Sequence, residues 1–187
     1  MSRKRLLRQL DAYAERWPEE AAVVDRMVSF VARRRDCFER SCREGHITAS
    51  AWVVSPGGEA VLLVLHRKLG IWLQPGGHAD GNGDTLAVAR AEAREESGVD
   101  SAPVVGATIF DVDVHDIPAR PGEPAHLHYD VRHRLAADPD LPLVPSPECE
   151  AVAWVPIDRI GEYTREESVL RMVRKTTLAA GGTSAPA

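Results

Sequence analysis

The chain has 187 residues, of which 44% are hydrophobic and 27% charged, a composition typical of one globular domain with room for an extension. Its formal net charge of −5 argues against binding through nucleic-acid phosphates, so we expect no stable nucleic-acid partner. No apolar run reaches the ~20 residues that span a bilayer, and no secretory leader is recognisable. We therefore expect a cytoplasmic protein without a membrane partner, whose cysteines are reduced thiols: Cys37, Cys42 and Cys149.

Two helices are predicted at the N-terminus. The first covers 3–16, with an apolar stripe formed by Leu6, Leu7 and Leu10. The second covers 19–43, with Pro18 in its first turn, Gly45 as its stop, and apolar residues at helical spacing: Val24, Met27, Val28 and Val31. We assign residues 1–45 to a helical extension that either covers the sheet or pairs two chains into a homodimer.

From Thr48 the period becomes that of strands. Strands are predicted at 51–54, 60–66, 104–115, 126–135 and 151–155. Loops are predicted at 56–58, 72–83, 118–124 and 138–147, and helices at 85–97 and 165–178. We expect residues 46–178 to form one α/β domain with a mixed sheet between helices, and residues 179–187 to be a disordered tail.

Three carboxylates crowd one side of the predicted Ala-rich helix. Because helical residues advance about 100° each, Glu92, Glu95 and Glu96 share an arc of about 100°, with Arg90 and Arg94 on the other side. Glu92 and Glu96 repel each other one turn apart, and all three glutamates lie near the helix C-terminus, where the dipole disfavours negative charge. A solvated acidic face is one explanation. The other is a divalent cation, and all-oxygen ligands suit Mg²⁺ or Mn²⁺.

The surrounding segment resembles the Nudix box, G-x5-E-x7-R-E-U-x-E-E-x-G-U, where U is a bulky apolar residue. The box positions are matched without insertion or deletion by Gly77, Glu92, Glu95, Glu96, Gly98 and Val99. The preceding residues 72–76 (WLQPG) resemble the W-x-x-P-G lead-in of that family. The resemblance implies a Nudix-type α/β/α sandwich for the domain.

Two box positions depart from the consensus. Gly83 stands where the box has glutamate, and Ala91 stands where it has arginine. Asp84 and Arg90 are their neighbours, but a helix neighbour points about 100° away, so Arg90 is a poor substitute. These departures leave open a catalytically weak protein that binds or senses a ligand.

The resemblance implies a metal-dependent hydrolase that cleaves a phosphoanhydride bond in a nucleoside diphosphate linked to another moiety. Glu92 and Glu96 are the expected direct metal ligands, Glu95 a ligand of a second ion or one acting through water, and Gly76 a backbone ligand. The general base in this family is often a glutamate of a later loop, which makes Glu148 and Glu150 candidates. The substrate remains open, because family pockets are built by loops outside the box.

Another polar set lies on a predicted strand. His126, His128 and Asp130 alternate and therefore point to one face, which we expect to line the substrate cleft rather than to bind zinc. Leu127, Tyr129 and Val131 then face the core. The candidates for substrate contact are Arg67, Trp72, His78, His126, His128 and Arg132. An enzyme of the isopentenyl-diphosphate isomerase type shares the fold and needs a catalytic cysteine, for which Cys149 is available without a matching motif.

Overall fold

Helices α1 (Arg3–Arg16) and α2 (Ala21–Arg33) begin the chain and are joined by a 3-10 turn at Pro18–Glu20. The computed structural model describes residues 3–103 and 108–181. In that part of the chain eight strands form one sheet: β1 (Gly45–Val54), β2 (Ala60–His66), β3 (Ile71–Leu73), β4 (Gly76–His78), β5 (Ala102–Pro103), β6 (Ile109–Ile117), β7 (His126–Ala136) and β8 (Cys149–Pro156). The remaining α-helices are α3 (Thr85–Ser97), α4 (Ile160–Tyr163) and α5 (Glu167–Gly181).

The sheet is mixed, as the sequence predicted. Strand β1 pairs in parallel with β7 along its whole length, from Gly45 opposite Leu127 to Val54 opposite Ala136. The other edge of β1 pairs antiparallel with β4 at one end and with β2 at the other. Strands β5 and β6 extend the sheet beyond β7, and β3 and β8 extend it beyond β2.

Helices cover both faces because β1 alternates two sets of side chains. Ala49, Ala51 and Val53 pack with the buried face of α3 on one side. Trp52 and Val54 pack with α4 and α5 on the other, where the Trp52 indole N–H donates to the Thr176 hydroxyl at 2.8 Å. This arrangement is the predicted α/β/α sandwich.

The N-terminal helices share a core with the sheet. Tyr13 of α1 and Met27 and Phe30 of α2 are fully buried in one cluster with Ile47. The Phe30 ring stacks on the Tyr129 ring, with 3.9 Å between centroids. The extension therefore covers one sheet face, which is the first of the two roles expected for it; a homodimer stays a prediction.

Helix α2 is shorter than predicted. It ends at Arg33 rather than at residue 43, because Arg34 and Arg35 occupy the positions that continue the apolar stripe after Val31. Gly45 is also not a helix stop. It begins β1, where a Cβ would collide with the Leu127 carbonyl oxygen of the neighbouring strand.

The predicted glycine-rich loop at 72–83 contains most of β3 and all of β4. Residues 76–78 form a strand by backbone pairing with β1, which needs no apolar side chains and so leaves no hydrophobic pattern. The predicted strand at 104–115 begins at Ile109, and residues 104–107 lie outside the described part.

Helices α1 and α3 have the predicted bounds, whereas the last helix does not. Helix α5 begins at Glu167 and continues to Gly181, three residues into the expected tail, and residues 182–187 lie outside the described part. Among the described residues, no helix is both long and apolar enough to cross a membrane.

Candidate active site

Helix α3 holds the predicted carboxylates in a defined frame. Its N-terminus is capped by Asp84, whose carboxylate accepts from the Ala87 backbone N–H at 3.2 Å. Its C-terminus ends at Gly98, which has a left-handed φ of 75°. The small and apolar residues Val88, Ala89 and Ala93 pack against the sheet. This packing presents the neighbouring glutamates to strand β4.

Glu92 and Glu96 are crowded and withdrawn from solvent. Glu96 is 8% exposed and accepts a hydrogen bond from the Gly76 backbone N–H at 3.2 Å. Burial raises the pKa of Glu96 to about 7, and the charge of Glu92 adds to this effect. Burial also raises the pKa of Glu92 to about 7, with Glu95 and Glu148 as the next contributors. Negative charge is therefore costly here without a cation.

Glycine at position 77 is required by the close approach of β4 to α3. A Cβ on Gly77 would lie 2.5 Å from the Glu92 carboxyl carbon, so any side chain there would displace the Glu92 carboxylate. The first glycine of the sequence motif therefore leaves room for the central glutamate. The adjoining Gly76 supplies the backbone N–H that orients Glu96.

The donors in this cluster fit a divalent cation. Arg40 is a cation that lowers the pKa of Glu92, but its guanidinium is bound to Asp80 in a two-point ion pair. Buried Glu96, half-buried Glu92 and exposed Glu95 form an oxygen-donor set of the kind that Mg²⁺ and Mn²⁺ prefer.

Glu148 lies near the cluster, and Arg67 holds it there. The negative charge of Glu148 raises the pKa of both Glu92 and Glu96. The Arg67 backbone N–H donates to the Glu148 carbonyl at 3.0 Å, and the Arg67 guanidinium donates to the carbonyls of Pro147 and Cys149, both at 2.9 Å. The arginine predicted to meet phosphate therefore clamps the loop on both sides of Glu148. Glu150, the other candidate base, is an exposed residue of β8.

The residues next to the two consensus departures are engaged elsewhere. Asp84 is the N-cap of α3, and the Arg90 guanidinium donates to the Ser101 carbonyl at 3.0 Å. Gly83 is buried and Ala91 is exposed. Neither neighbour takes over the position that the consensus glutamate or arginine would fill, as expected for a helix position rotated by about 100°.

The sheet face opposite α3 is polar along the first half of β1, where β1 pairs with β4. His46, Thr48 and Ser50 alternate on β1, and register places His46 beside His128 of β7 and Thr48 beside His78 of β4. His115 of β6 also pairs with His128. The structure thus brings the predicted His78, His126 and His128 together with His46 and His115. The sequence analysis missed these two, although polar alternation with Ile47 and Ala49 signalled His46.

Strand alternation also separates the two sets on β7 as predicted. Tyr129 and Val131 are buried in the core shared with α1 and α2, and Leu127 packs against it. His126 and His128 lie on the other face, where burial lowers the pKa of His128 and of nearby His46, the latter to about 4. The rings of His46 and His128 are therefore neutral at neutral pH.

Asp130 and Arg132 are buried on this polar face and bind other side chains of the protein. Asp130 accepts from the hydroxyls of Thr48 and Ser50 and pairs with Arg132, so it is not grouped with the histidines as a chelating carboxylate. Arg132 is 2% exposed and also pairs with Asp111 and Asp113. Its guanidinium is enclosed by carboxylates, a placement that favours a structural role over the predicted substrate contact.

The remaining candidates are Trp72 and Cys149. Trp72 is half-buried, with its ring edge-on to Tyr163 at a centroid distance of 5.4 Å. Cys149 is a buried thiol whose pKa burial raises, which disfavours the thiolate that an isomerase would need. All three cysteines are free, as predicted, and all three are buried.

Known proteins share both the sequence pattern and the fold that place α3 against β4. The sequence model of the NUDIX domain family matches residues 44–175. No curated protein matches the sequence. A Caenorhabditis elegans Ap4A hydrolase shares the fold at 15% identity and a TM-score of 0.57, over 73% of this chain and 98% of that one.

Two bacterial structures are similar as well. A NUDIX-family hydrolase from Clostridium perfringens matches at 22% identity and a TM-score of 0.53, over 73% of this chain and 98% of that one. The dihydroneopterin triphosphate pyrophosphohydrolase of Escherichia coli matches at 15% identity and a TM-score of 0.54, over 69% and 92%. At these identities the likeness shows the fold, and the family model covers most of the sequence. The chain belongs to the Nudix family and is a hydrolase.

Proposed function

We propose that this hydrolase cleaves a phosphoanhydride bond in a small molecule, a nucleoside diphosphate linked to another moiety. The observation that carries the proposal is the crowded pair of carboxylates, half-buried Glu92 and buried Glu96, held against Gly76 and Gly77 with pKa values raised to about 7. Nudix hydrolases generally use divalent metal ions, and crowded carboxylates of this kind are stabilised by one.

Mg²⁺ or Mn²⁺ is the proposed cofactor. Glu92, Glu96 and the Gly76 carbonyl would hold the ion directly, and Glu95, which is exposed, would hold a second ion or act through water. When bound, such an ion neutralises phosphate oxygens and lowers the pKa of a water molecule.

The protein's own side chains hold the ion and accept the proton of the attacking water. Glu148 is the proposed general base, because it lies near both Glu92 and Glu96 on a loop that Arg67 clamps. As a carboxylate it accepts the proton of the attacking water. Glu92 and Glu96 are proposed as ligands instead, because both face the Gly76–Gly77 backbone and a bound cation would keep the crowded pair charged.

The substrate class has support from the shared fold. Two similar structures are, by name, an Ap4A hydrolase and a dihydroneopterin triphosphate pyrophosphohydrolase. Both names denote polyphosphate compounds. The proposed domain of residues 46–178 nearly coincides with the family match at 44–175, which supports treating residues 1–45 as an extension.

The test is hydrolysis of a nucleotide panel by the wild-type chain and by Glu92→Gln and Glu96→Gln, with Mg²⁺ or Mn²⁺ present. We expect each variant to lose activity by at least about a hundredfold. We also expect Mg²⁺ to raise the melting temperature of the wild type but not of the variants. The control is Glu15→Gln, an exposed glutamate of α1. Full activity in Glu96→Gln would refute the proposal.

A second candidate is a weak or inactive ligand sensor of the same fold. The observation that favours it is the engagement of Arg90 with the Ser101 carbonyl, which leaves the consensus arginine position unfilled. In that case the panel shows nucleotide binding by calorimetry without release of phosphate or pyrophosphate. Turnover of any panel member that depends on Glu92 and Glu96 rejects the sensor.

A further inference from the structure

The histidine cluster on the polar face of the sheet is built from three strands. His46 comes from β1, His78 from β4 and His128 from β7. The centroids of these three rings are 4.9–5.0 Å apart in every pairing. One nitrogen of each ring lies within 4.8 Å of the others. Three imidazole nitrogens therefore converge on one small volume.

His46 lacks the partners that a buried polar ring normally has. It is 2% exposed, and neither of its ring nitrogens has a hydrogen-bond partner among the described residues. Buried polar groups are almost always satisfied, and an orphaned pair of ring nitrogens calls for a missing partner. Its ring contacts are with three other imidazoles, His78, His126 and His128, and a metal ion is a partner that can accept a lone pair from several imidazoles at once.

A fourth histidine stands beside the triangle in a suitable tautomer. The Nδ1 atom of His126 lies 2.9 Å from the Pro124 carbonyl oxygen, which requires a proton on Nδ1 and leaves the lone pair on Nε2. That Nε2 lies 3.3 Å from Nε2 of His128. Two nitrogens bound to a tetrahedral zinc ion at about 2.0–2.1 Å are roughly 3.3 Å apart. A backbone carbonyl that orients a ligating histidine is the usual outer partner in such sites.

We propose that His46, His78 and His128 bind a divalent transition-metal ion of the zinc class, with His126, whose Nε2 also lies 3.7 Å from the Glu123 carboxylate, as an adjoining donor. The sequence alone favoured a cleft lining over zinc on this face, because it did not bring His46 and His78 to His128. This site is separate from the carboxylate cluster. Because side chains alternate along β4, His78 points to the face opposite the one on which Gly77 meets Glu92. Nitrogen donors select Zn²⁺, Co²⁺ or Ni²⁺, whereas the oxygen donors on α3 select Mg²⁺ or Mn²⁺. The ion would join three strands of the sheet and is independent of the proposed hydrolysis.

The experiment uses the full chain with Glu92→Gln and Glu96→Gln, so that the carboxylate cluster does not contribute. After removal of metal with a chelator, we expect one equivalent of Co²⁺ to give the intense visible absorption of a tetrahedral nitrogen site. We expect one equivalent of Zn²⁺ to displace the Co²⁺ and to raise the melting temperature of the protein. Adding His46→Gln or His128→Gln weakens Zn²⁺ binding by at least about tenfold. Adding His66→Gln, a histidine of β2 outside the cluster, leaves binding unchanged.

Undiminished Zn²⁺ affinity in the His46→Gln background, or only the weak absorption of octahedral Co²⁺, overturns the proposal. A measurement on the wild-type chain guards against variants that fail to fold. Its imidazole nitrogen-15 spectra are recorded with and without Zn²⁺. Binding of Zn²⁺ should shift the resonances of at least three histidines to metal-bound values. An imidazole spectrum that Zn²⁺ leaves unaltered also overturns the proposal.

Discussion

The backbone N–H of Gly76 donates a hydrogen bond to the Glu96 carboxylate across 3.2 Å, and this contact joins strand β4 to the glutamate helix α3. The next residue, Gly77, faces Glu92 so closely that a side chain there would displace the Glu92 carboxylate. The two glycines thus position the carboxylates of Glu92 and Glu96. The site consequently depends on backbone geometry as much as on the acidic residues themselves.

Gly77→Ala should impair catalysis while preserving the fold. The new methyl group would displace the end of the Glu92 side chain, which is flexible, rather than any backbone atom. We expect kcat to fall by about tenfold or more and the Mg²⁺ requirement to rise, because misplacing a ligand by about 1 Å is costly. The measurement is the hydrolysis rate as a function of Mg²⁺ concentration.

The matched control for this glycine is Gly161→Ala in α4, where a Cβ meets nothing within 4 Å. That variant should behave as the wild type does. Equal activity of Gly77→Ala and Gly161→Ala would mean that Glu92 need not sit where the structure places it.

Arg67→Met should lower kcat more than it changes KM. Arg67 holds the carbonyls on both sides of Glu148, so its loss loosens the proposed base without touching the substrate. We expect a decrease of about tenfold in kcat and a change below about threefold in KM. Steady-state kinetics with Lys68→Met, its exposed neighbour, as the control test this expectation. A rise in KM at constant kcat would instead support direct phosphate contact by Arg67.

Arg132→Ala should destabilise the fold strongly. Asp111 and Asp130 are buried carboxylates that both pair with Arg132, and its removal leaves them partly uncompensated. The expected loss in the free energy of unfolding is about 3–5 kcal/mol. Urea denaturation measures it, with Arg159→Ala as the control: the Arg159–Glu162 pair is exposed, and its loss should leave the free energy of unfolding nearly unchanged. Similar effects for both variants would contradict the burial of this network.

His133 should make stability fall in acid. It is 1% exposed, its Nε2 lies 2.9 Å from the Thr85 hydroxyl, and burial lowers its pKa from 6.5 to about 4. Between pH 6.5 and pH 4 the imidazole of His133 is protonated in the unfolded chain but stays neutral in the folded one. The free energy of unfolding is therefore unaffected by His133 above pH 6.5 and decreases as the pH falls toward 4.

The measurement for His133 is urea denaturation at pH 7.5 and pH 4.5. The wild type should lose roughly 2–3 kcal/mol more than His133→Gln between these conditions, since a glutamine cannot take up the proton. The comparison with the variant isolates this residue from the other titrating groups. An identical loss in both chains would show that His133 is not the group responsible.

Local spacing was sufficient for the elements whose pattern repeats within a few residues. The bounds of α1 and α3, the buried strand β2 and the two faces of β7 all follow from period 3.6 or period 2, and the clustering of Glu92, Glu95 and Glu96 follows from helix geometry. Strand β4 and the end of α2 did not follow. β4 is stabilised by backbone pairing with β1, and α2 stops where charged residues interrupt its stripe.

The sequence by itself determined the family, the mixed α/β sandwich and the acidic helix, because each rests on the order and period of neighbouring residues. Only the tertiary structure showed which residues the polar side chains contact. Arg67 binds the loop around Glu148 rather than standing free, Arg132 is enclosed by carboxylates, and His46 meets His78 and His128. The contacts of Arg67 and His46 join residues more than thirty positions apart, and those of Arg132 join neighbouring strands. The register of the sheet that creates them is a property of the whole fold.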